Sequence, residues 1–271
     1  MSVPPGKLRL PPFVWASAAI HLGSVPALVA APRAWPWVVG TLFADHLAIL
    51  AGGLRPKSSL LGPSVIRDAV AETRSAVALT FDDGPDPETT PAVLKLLHDR
   101  GATASFFCIG TRVVAHAAVA REIAARGHRV ENHSYTHPAG FFFHGPRSLA
   151  DEVLRCQEAV TAVTGREPRY FRAPAGIRGP LLAPVLARRN LRLAAWTRRG
   201  FDTVSRDPEA VLARLSRGLR AGDILVLHDA TGAARGRRAV VLETLPRLLD
   251  AIEAAGLRAA PLSDPPHPSP A

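Results

Sequence analysis

The sequence predicts an α/β fold: a parallel sheet with right-handed crossovers, wound into a closed or nearly closed barrel and preceded by two membrane-crossing helices. Three observations predict it. From Ser75 onward, seven short apolar runs alternate with helical patterns. Strands interleaved with helices make parallel sheets, and seven units suit a barrel at least as well as an open doubly wound sheet. Ionisable or aromatic residues recur at the C-terminal ends of these runs, where a barrel carries its chemistry. Finally, the first sixty residues hold two apolar segments of bilayer-crossing length.

Residues 12–31 carry no Asp, Glu, Lys or Arg, and residues 35–53 carry one acid, Asp45, beside His46. Trp15, Trp35 and Trp37 sit near segment ends, as an aromatic belt requires. The short turn at Pro32-Arg33-Ala34 makes the pair a helical hairpin over residues 1–56. Asp45 needs a partner or a near-interface position, because a lone charge in a span is costly. A signal peptide ending near Val29-Ala30-Ala31 competes with this reading, but the second apolar segment argues against it. Two buried core helices compete less well, because the runs are apolar on all faces. Lys7 and Arg9 before the hairpin and Arg55 and Lys57 after it favour both ends facing the cytoplasm. If one segment alone crosses, the rest of the chain is periplasmic. The expected location is the inner membrane of a bacterial cell, with the side left open. Residues 57–74, with Pro56 at their border and Gly62 and Pro63 within, read as a linker.

Strands are expected at 76–81, 103–108, 128–132, 169–172, 191–196, 223–228 and 257–261, with helices near 89–100, 111–126, 147–164, 180–189, 208–220 and 237–255. In the last helix Val241, Leu242, Leu245, Leu248, Leu249 and Ile252 recur as one face. Gly101, Gly127, Gly165 and Gly256 are candidate C-caps. The catalytic unit spans 75–262, and 263–271 reads as a disordered tail. The formal net charge of +10 is mostly arginine; Lys7, Lys57 and Lys95 are the only lysines. The arginines are scattered rather than grouped with aromatics, which favours anionic lipid or acidic carbohydrate over nucleic acid as a partner. Codon bias toward arginine explains the excess equally simply. Cys108 and Cys156 have no CxxC spacing, so neither a redox motif nor a cysteine metal site is indicated.

The chemistry gathers at strand ends. Asp82 and Asp83, in FDDGPD, end the first strand, and Gly84-Pro85 supplies the turn that lets both converge on one cavity. His133 and His137, in ENHSYTHP, follow the third strand; four residues apart, they share a face if they lie on a helical turn. Arg172 ends the fourth, Trp196 the fifth with Asp202 beyond it, and His228 the sixth. Two imidazoles and one carboxylate make a three-ligand site with open positions. Zinc is the expected ion, and the same set also suits cobalt or iron. If Asp83 is the carboxylate ligand, Asp82 stays free beside a cation that acidifies water, which makes it a general base. The Arg172 fork can pin Asp82 and keep it charged. His228 opposes them as a proton donor, its charge held by Asp202 or Asp229. A backbone N–H after Pro174, such as that of Ala175, can hold an oxyanion. Together these describe hydrolysis of a carbonyl bond.

TFDDGPD, HSYTH, RAPAG, the W…D segment and LVLHD, in this order, resemble the five motifs of the polysaccharide deacetylases, the NodB-homology or family 4 carbohydrate esterases. The resemblance covers about residues 75–262. It implies a distorted (β/α)7 barrel that removes acetyl groups from N-acetylated, sometimes O-acetylated, sugars. It further implies Asp82 as base, Asp83, His133 and His137 as metal ligands, Arg172 as the tether of the base, His228 as acid and Asp202 as the carboxylate that tunes it. Ala175 and Trp196 fall where substrate and oxyanion contacts are made. Two departures stand out. Ala175 is smaller than the residue usual after that proline, and Asp202-Thr203 stands where Asp-Trp is common. The run Phe141-Phe142-Phe143-His144 reads as a sugar-stacking or lipid-facing lip, or as loop core. His98, His116, His128 and His267 read as ordinary surface or capping residues.

Other classes fit less well. A haloacid-dehalogenase-type phosphatase needs its two acids separated by one residue. A catalytically silent carbohydrate-binding or scaffold protein on the same barrel is expected to have lost a ligand, the base or the acid, and all are present. A deformylase or deacetylase of a lipid-linked sugar is compatible with the anchor. The expected partners are therefore a carbohydrate or lipid-linked sugar and a membrane, with no nucleic acid.

Overall fold

The computed structural model describes residues 10–230 and 239–264. Helices α1 (Pro12–Ala30) and α2 (Trp35–Leu54) form the N-terminal hairpin. Both are long and apolar enough to cross a membrane. Their large side chains point outward, with Trp37 81% and Val29 77% exposed, so these are not core helices of a soluble domain. Asp45 has its partner: Ser17 Oγ donates to Asp45 Oδ2 at 2.7 Å, and His21 Nδ1 lies 3.8 Å from the same oxygen.

The segment expected as a linker is ordered. It carries the short helix α3 (Ala69–Thr73), capped by the Asp68 carboxylate. The rest follows as β1 (Ala76–Asp82), α4 (Thr89–Asp99), β2 (Ser105–Cys108), α5 (Gly110–Ala115), α6 (Ala117–Ala125), β3 (Arg129–Asn132), α7 (Pro146–Thr164), β4 (Tyr170–Phe171), α8 (Leu182–Ala187), β5 (Arg192–Leu193), β6 (Arg198–Arg199), α9 (Pro208–Ser216), β7 (Ile224–His228), α10 (Val240–Ala254) and β8 (Arg258–Ala260). The four glycines expected to end helices all have positive φ, between 58° and 83°. Ser263 and Asp264, expected in a disordered tail, are tied down: Ser263 N–H donates to Asp68 Oδ2 and Asp264 pairs with Arg129. His267 lies outside the described residues.

All strands are parallel, in the order β5-β4-β3-β2-β1-β7-β6, a sheet curled into a half-barrel. β8 pairs with the start of β1, at Ala76–Ala78. Among the described residues no ladder joins β5 to β6. The fifth expected strand, 191–196, is shorter than expected: only β5 lies within it, pairing with β4, and β6 follows beyond its expected end and pairs with β7. Thr197 turns the chain between them, its hydroxyl donating to Ile224 O and accepting from Ile224 N–H.

β1 is buried at all seven positions, as a strand covered on both faces must be. Its parity places the site. Val77, Leu79 and Phe81 join the outer core with Leu225 and Leu227 of β7 and with the helices. Ala78 faces the barrel interior with Phe107, Tyr170 and Ile224. Side chains alternate along a strand, so Thr80 and Asp82 also face inward, and Ile224 sets the same parity for His228. The register pairs Asp82 with His228. A third cluster, Phe141, Leu149, Val153, Phe171 and Leu182 among others, packs α7 and α8 beside β4.

Candidate active site

Every charged residue expected at the site converges on the C-terminal ends of the strands. Asp82 closes β1 pointing inward. Asp83 then takes a left-handed conformation, φ 75°, ahead of the cis Gly84-Pro85 bond. That sharp change separates the two carboxylates. Asp83 Oδ1 lies 3.3 Å from His133 Nε2 and 3.3 Å from His137 Nε2.

The two histidines do not lie on a helical turn, the condition under which their spacing would place them on one face. Residues 133–137 form a tight loop in which Ser134 and His137 both have positive φ, 62° and 54°. Side-chain acceptors hold this loop. Asn132 Oδ1 accepts from Ser134 N–H, and Ser134 Oγ accepts from His137 N–H. Glu152 of α7 accepts from Tyr135 N–H, Thr136 N–H and the Thr136 hydroxyl. His133 Nδ1–H donates to Arg172 O at 2.8 Å, which fixes the tautomer and leaves Nε2 free as a donor atom. Arg112 donates to Asp83 O. Glu152, Asn132, Ser134 and Arg112 were missed from the sequence. Their only signals there were a lone acid on a helix face, two small polar residues inside a motif and one more arginine.

Asp83, His133 and His137 offer three ligand atoms within 4.8 Å of one another. A second such group among the described residues, His21, Asp45 and His46, lies in the hairpin. The donor set at Asp83 is the N/O set that divalent transition metals take. Asp83 titrates well below the usual carboxylate range: burial opposes this, but the His133 hydrogen bond and the histidine charges outweigh it. Burial, helped by His133, lowers His137. The Asp83 shift, supplied by its histidine neighbours when they carry a proton, keeps the carboxylate ionised, and the His137 shift favours the neutral imidazole that binds a cation.

Arg172 is 1% exposed and lies against Asp82. Its Nη1 donates to Asp82 Oδ1 at 2.6 Å and to Thr80 Oγ1 at 2.8 Å. Its Nη2 donates to Ala195 O, and the guanidinium stacks 4.0 Å from the Phe107 ring centroid. Across the site His228 Nδ1–H donates to Asp202 Oδ1 at 2.8 Å, and His228 N–H donates to Asp202 Oδ2 at 2.8 Å. Burial alone would lower the His228 pKa, but the Asp202 hydrogen bond and the surrounding carboxylates raise it above its ordinary value. Asp229, the other candidate to hold this charge, turns away: its Oδ2 accepts from Thr90 at 2.5 Å, and burial pushes its pKa up to about 7.

Ala175 sits at φ 55° in a short 3₁₀ turn, Pro174–Gly176. Trp196 packs on this turn so closely that a Cβ on Gly176 would fall 2.2 Å from its Cη2. Phe141 is buried, whereas Phe143 is 84% exposed. His128, expected as a surface or capping residue, is buried: its Nδ1 accepts from Ala104 N–H, and burial lowers its pKa to about 4.

A family profile described as polysaccharide deacetylase matches residues 69–194. The chain is 33% identical over 201 residues to a chitooligosaccharide deacetylase of Bradyrhizobium sp. (strain ANU 289), covering 71% of this chain and 91% of the relative. It is 28% identical over 181 residues to a peptidoglycan-N-acetylglucosamine deacetylase of Bacillus cereus, covering 66% of this chain and 84% of the relative. Among solved structures, a family 4 carbohydrate esterase from Streptomyces lividans in complex with acetate superposes with a TM-score of 0.62 at 29% identity, over 68% of this chain and 91% of that one. A family 4 pseudoenzyme from Bacillus anthracis shares the fold, with a TM-score of 0.63 at 22% identity, over 69% of this chain and 64% of that one. The half-barrel, the gathered strand-end residues and these matches agree: the chain belongs to the polysaccharide deacetylase family.

Proposed function

We propose that this enzyme hydrolyses the N-acetyl group of an amino sugar in a glycan or glycolipid, using a divalent cation, zinc by preference, held by Asp83, His133 and His137. The observation that carries the reading is the division of labour in the adjacent acids: Asp83 faces two imidazoles at 3.3 Å while Asp82 faces Arg172 at 2.6 Å. A divalent cation held by the Asp83 set would acidify a water and polarise the acetyl carbonyl. Asp82 takes a proton from the attacking water, and Arg172 keeps its carboxylate oriented. As the carbonyl carbon becomes tetrahedral, the Ala175 N–H donates to the oxyanion. Protonated His228, held by Asp202, gives its proton to the sugar nitrogen as the C–N bond breaks. The products are acetate and a free amino sugar. Trp196 forms the wall against which the sugar lies.

The hairpin anchors the enzyme in a membrane, which the outward-facing apolar side chains of α1 and α2 support. The silent-scaffold reading has a precedent in the fold of a pseudoenzyme, but here Asp82, Asp83, His133, His137, Arg172 and His228, which the deacetylase reading needs, are all retained. Acetate release from a panel of N-acetylated oligosaccharides and lipid-linked sugars, by enzyme reloaded with zinc or cobalt, tests the proposal. Turnover by wild type, with Asp82→Asn inactive at normal metal content, supports it. Wild-type turnover by Asp82→Asn would refute the role of the base.

A further inference from the structure

The base of the hairpin is built into the rim of the site. The Gly53 carbonyl, at the end of α2, accepts from Arg178 N–H at 3.3 Å. A Cβ on Gly53 would fall 2.5 Å from Phe142 Cε2 and 2.6 Å from Arg178 O, so this is a backbone-close contact. Arg178, six residues beyond Arg172, also donates from Nη1 to Gly62 O at 3.1 Å. Pro56 lines one small cavity with Arg172, Gly176 and Trp196.

The rim is apolar where the rest of the domain is not. Between Leu61 and Asp264 four large apolar side chains are exposed among the described residues: Val114, Phe143, Phe201 and Val204, the last at 80%. Three of them lie on the segments leaving β3 and β6 at their C-terminal ends, the end where Asp82 and His228 sit. Phe143 follows the residue that packs on Gly53. The Arg199 guanidinium spans from wall to rim, 5.2 Å from the Trp196 ring and 5.2 Å from the Phe201 ring. Phe143 and Phe201 can stack on a sugar ring, but the aliphatic Val204 cannot, whereas a bilayer surface continuous with the hairpin accounts for all three.

We infer that the mouth of the active site lies on the lipid surface, with Phe143, Phe201 and Val204 inserted at the interface, and that the substrate is an amphiphile whose N-acetylated sugar enters from the membrane. The substrate half of this inference rests on the deacetylase reading. The lipid-contact half does not.

Two readouts separate them. In the full chain reconstituted into phosphatidylcholine–phosphatidylglycerol vesicles, Phe143→Cys and Glu253→Cys are labelled with an environment-sensitive fluorophore; Cys108 and Cys156 are buried and stay unlabelled. Brominated acyl chains are expected to quench the label at 143 at least about twofold more than the label at 253, on the exposed far end of α10. Equal quenching, as when a protein or a second copy covers the rim, overturns the lipid contact. The second readout compares a dodecyl glycoside of N-acetylglucosamine in vesicles with soluble chitotetraose. Phe143→Ser with Val204→Ser is expected to lower kcat/KM about tenfold on the glycolipid and to leave chitotetraose unchanged. Equal effects on both probes overturn the substrate assignment. No acetate from either probe with wild type sinks the deacetylase reading and the substrate claim with it, while quenching still decides the surface.

Discussion

Replacing Asp202 by Asn isolates the role of the proton donor. Both Asp202 oxygens accept from His228, one from the backbone N–H and one from Nδ1–H, each at 2.8 Å. The Asp202 side chain is fully buried, so water cannot substitute. Asn offers one acceptor oxygen and one NH₂ group. If its oxygen keeps the backbone N–H, its amide donates to Nδ1 and forces the neutral ring to carry its proton on Nε2. The imidazolium also loses the charge that, against the opposing effect of burial, raises the His228 pKa. A general acid must be protonated to act, so wild-type kcat/KM falls as pH rises through that raised pKa. In Asp202→Asn the fall begins at lower pH. The lost charge-assisted bond is worth about 1.5–3 kcal/mol, about 10–100-fold in kcat/KM, and the amide N–H facing Nδ1, which opposes formation of the imidazolium, extends the loss toward the roughly 10²–10⁴-fold of a missing proton donor. The assay is acetate release across pH 5–9 with metal content held constant. An unshifted alkaline limb at near wild-type rate refutes the tuning role of Asp202. A large loss with an unshifted limb makes its role structural.

Three further outcomes follow from the same contacts. His133→Ala removes one of the three proposed ligands, so metal analysis of the purified chain should find the equivalent that wild type holds gone. Glu152→Ala strips acceptors from the loop that aims His133 and His137; metal affinity should fall about 10–100-fold, the range for lost outer-shell support, readable by chelator competition. His128 has a folded pKa of about 4 against 6.5 unfolded, so the unfolded chain binds more protons and stability is lost as pH falls from 6.5 toward 4. His128→Asn keeps an acceptor for Ala104 N–H and should recover up to about 3 kcal/mol of that acid loss; a thermal midpoint that falls between pH 7.5 and 4.5 as steeply as in wild type would contradict this.

The strand order was not legible in the sequence, but the strand-end chemistry was. A buried parallel strand announces itself as an apolar run, and a carboxylate or imidazole at its end breaks the run visibly. What local pattern cannot show is partner choice. The stretch 191–196 is one apolar run, yet it joins β4 and then gives way to a strand on β7, because Thr197 satisfies Ile224 on both sides. The same blindness hid the histidine loop. HxxxH spacing reads as helix, whereas Ser134 and His137 adopt left-handed conformations held by Asn132, Ser134 and Glu152 side chains. Glu152 lies far along the chain, on a helix where an acid is unremarkable. Nothing local marks His128 for burial either, because a single histidine carries no burial signal.

The segment before residue 75 gives the last test, because the half-barrel is incomplete without it. Val65 bridges to Ala194: its N–H donates to Leu193 O and its carbonyl accepts from Ala195 N–H, both at 2.8 Å. The Ala195 carbonyl in turn accepts from Arg172 Nη2, and Arg172 holds Asp82. A hydrogen-bonded path thus runs from the hairpin's exit to Asp82. Lower down, Arg67 pairs with Asp223, and Asp68 caps α3 while holding Ser263. Removing residues 1–56 leaves this path intact. Removing residues 1–74 orphans Leu193 O, Ala195 N–H and Ser263 N–H at about 1 kcal/mol or more each, and frees the peptide that steadies Arg172. The shorter truncation should therefore keep turnover on soluble oligosaccharide, while the longer one loses both thermal stability and kcat. Equal activity of the two truncated chains would mean that the barrel closes without its leading strand-like segment and that Arg172 needs no support from Val65.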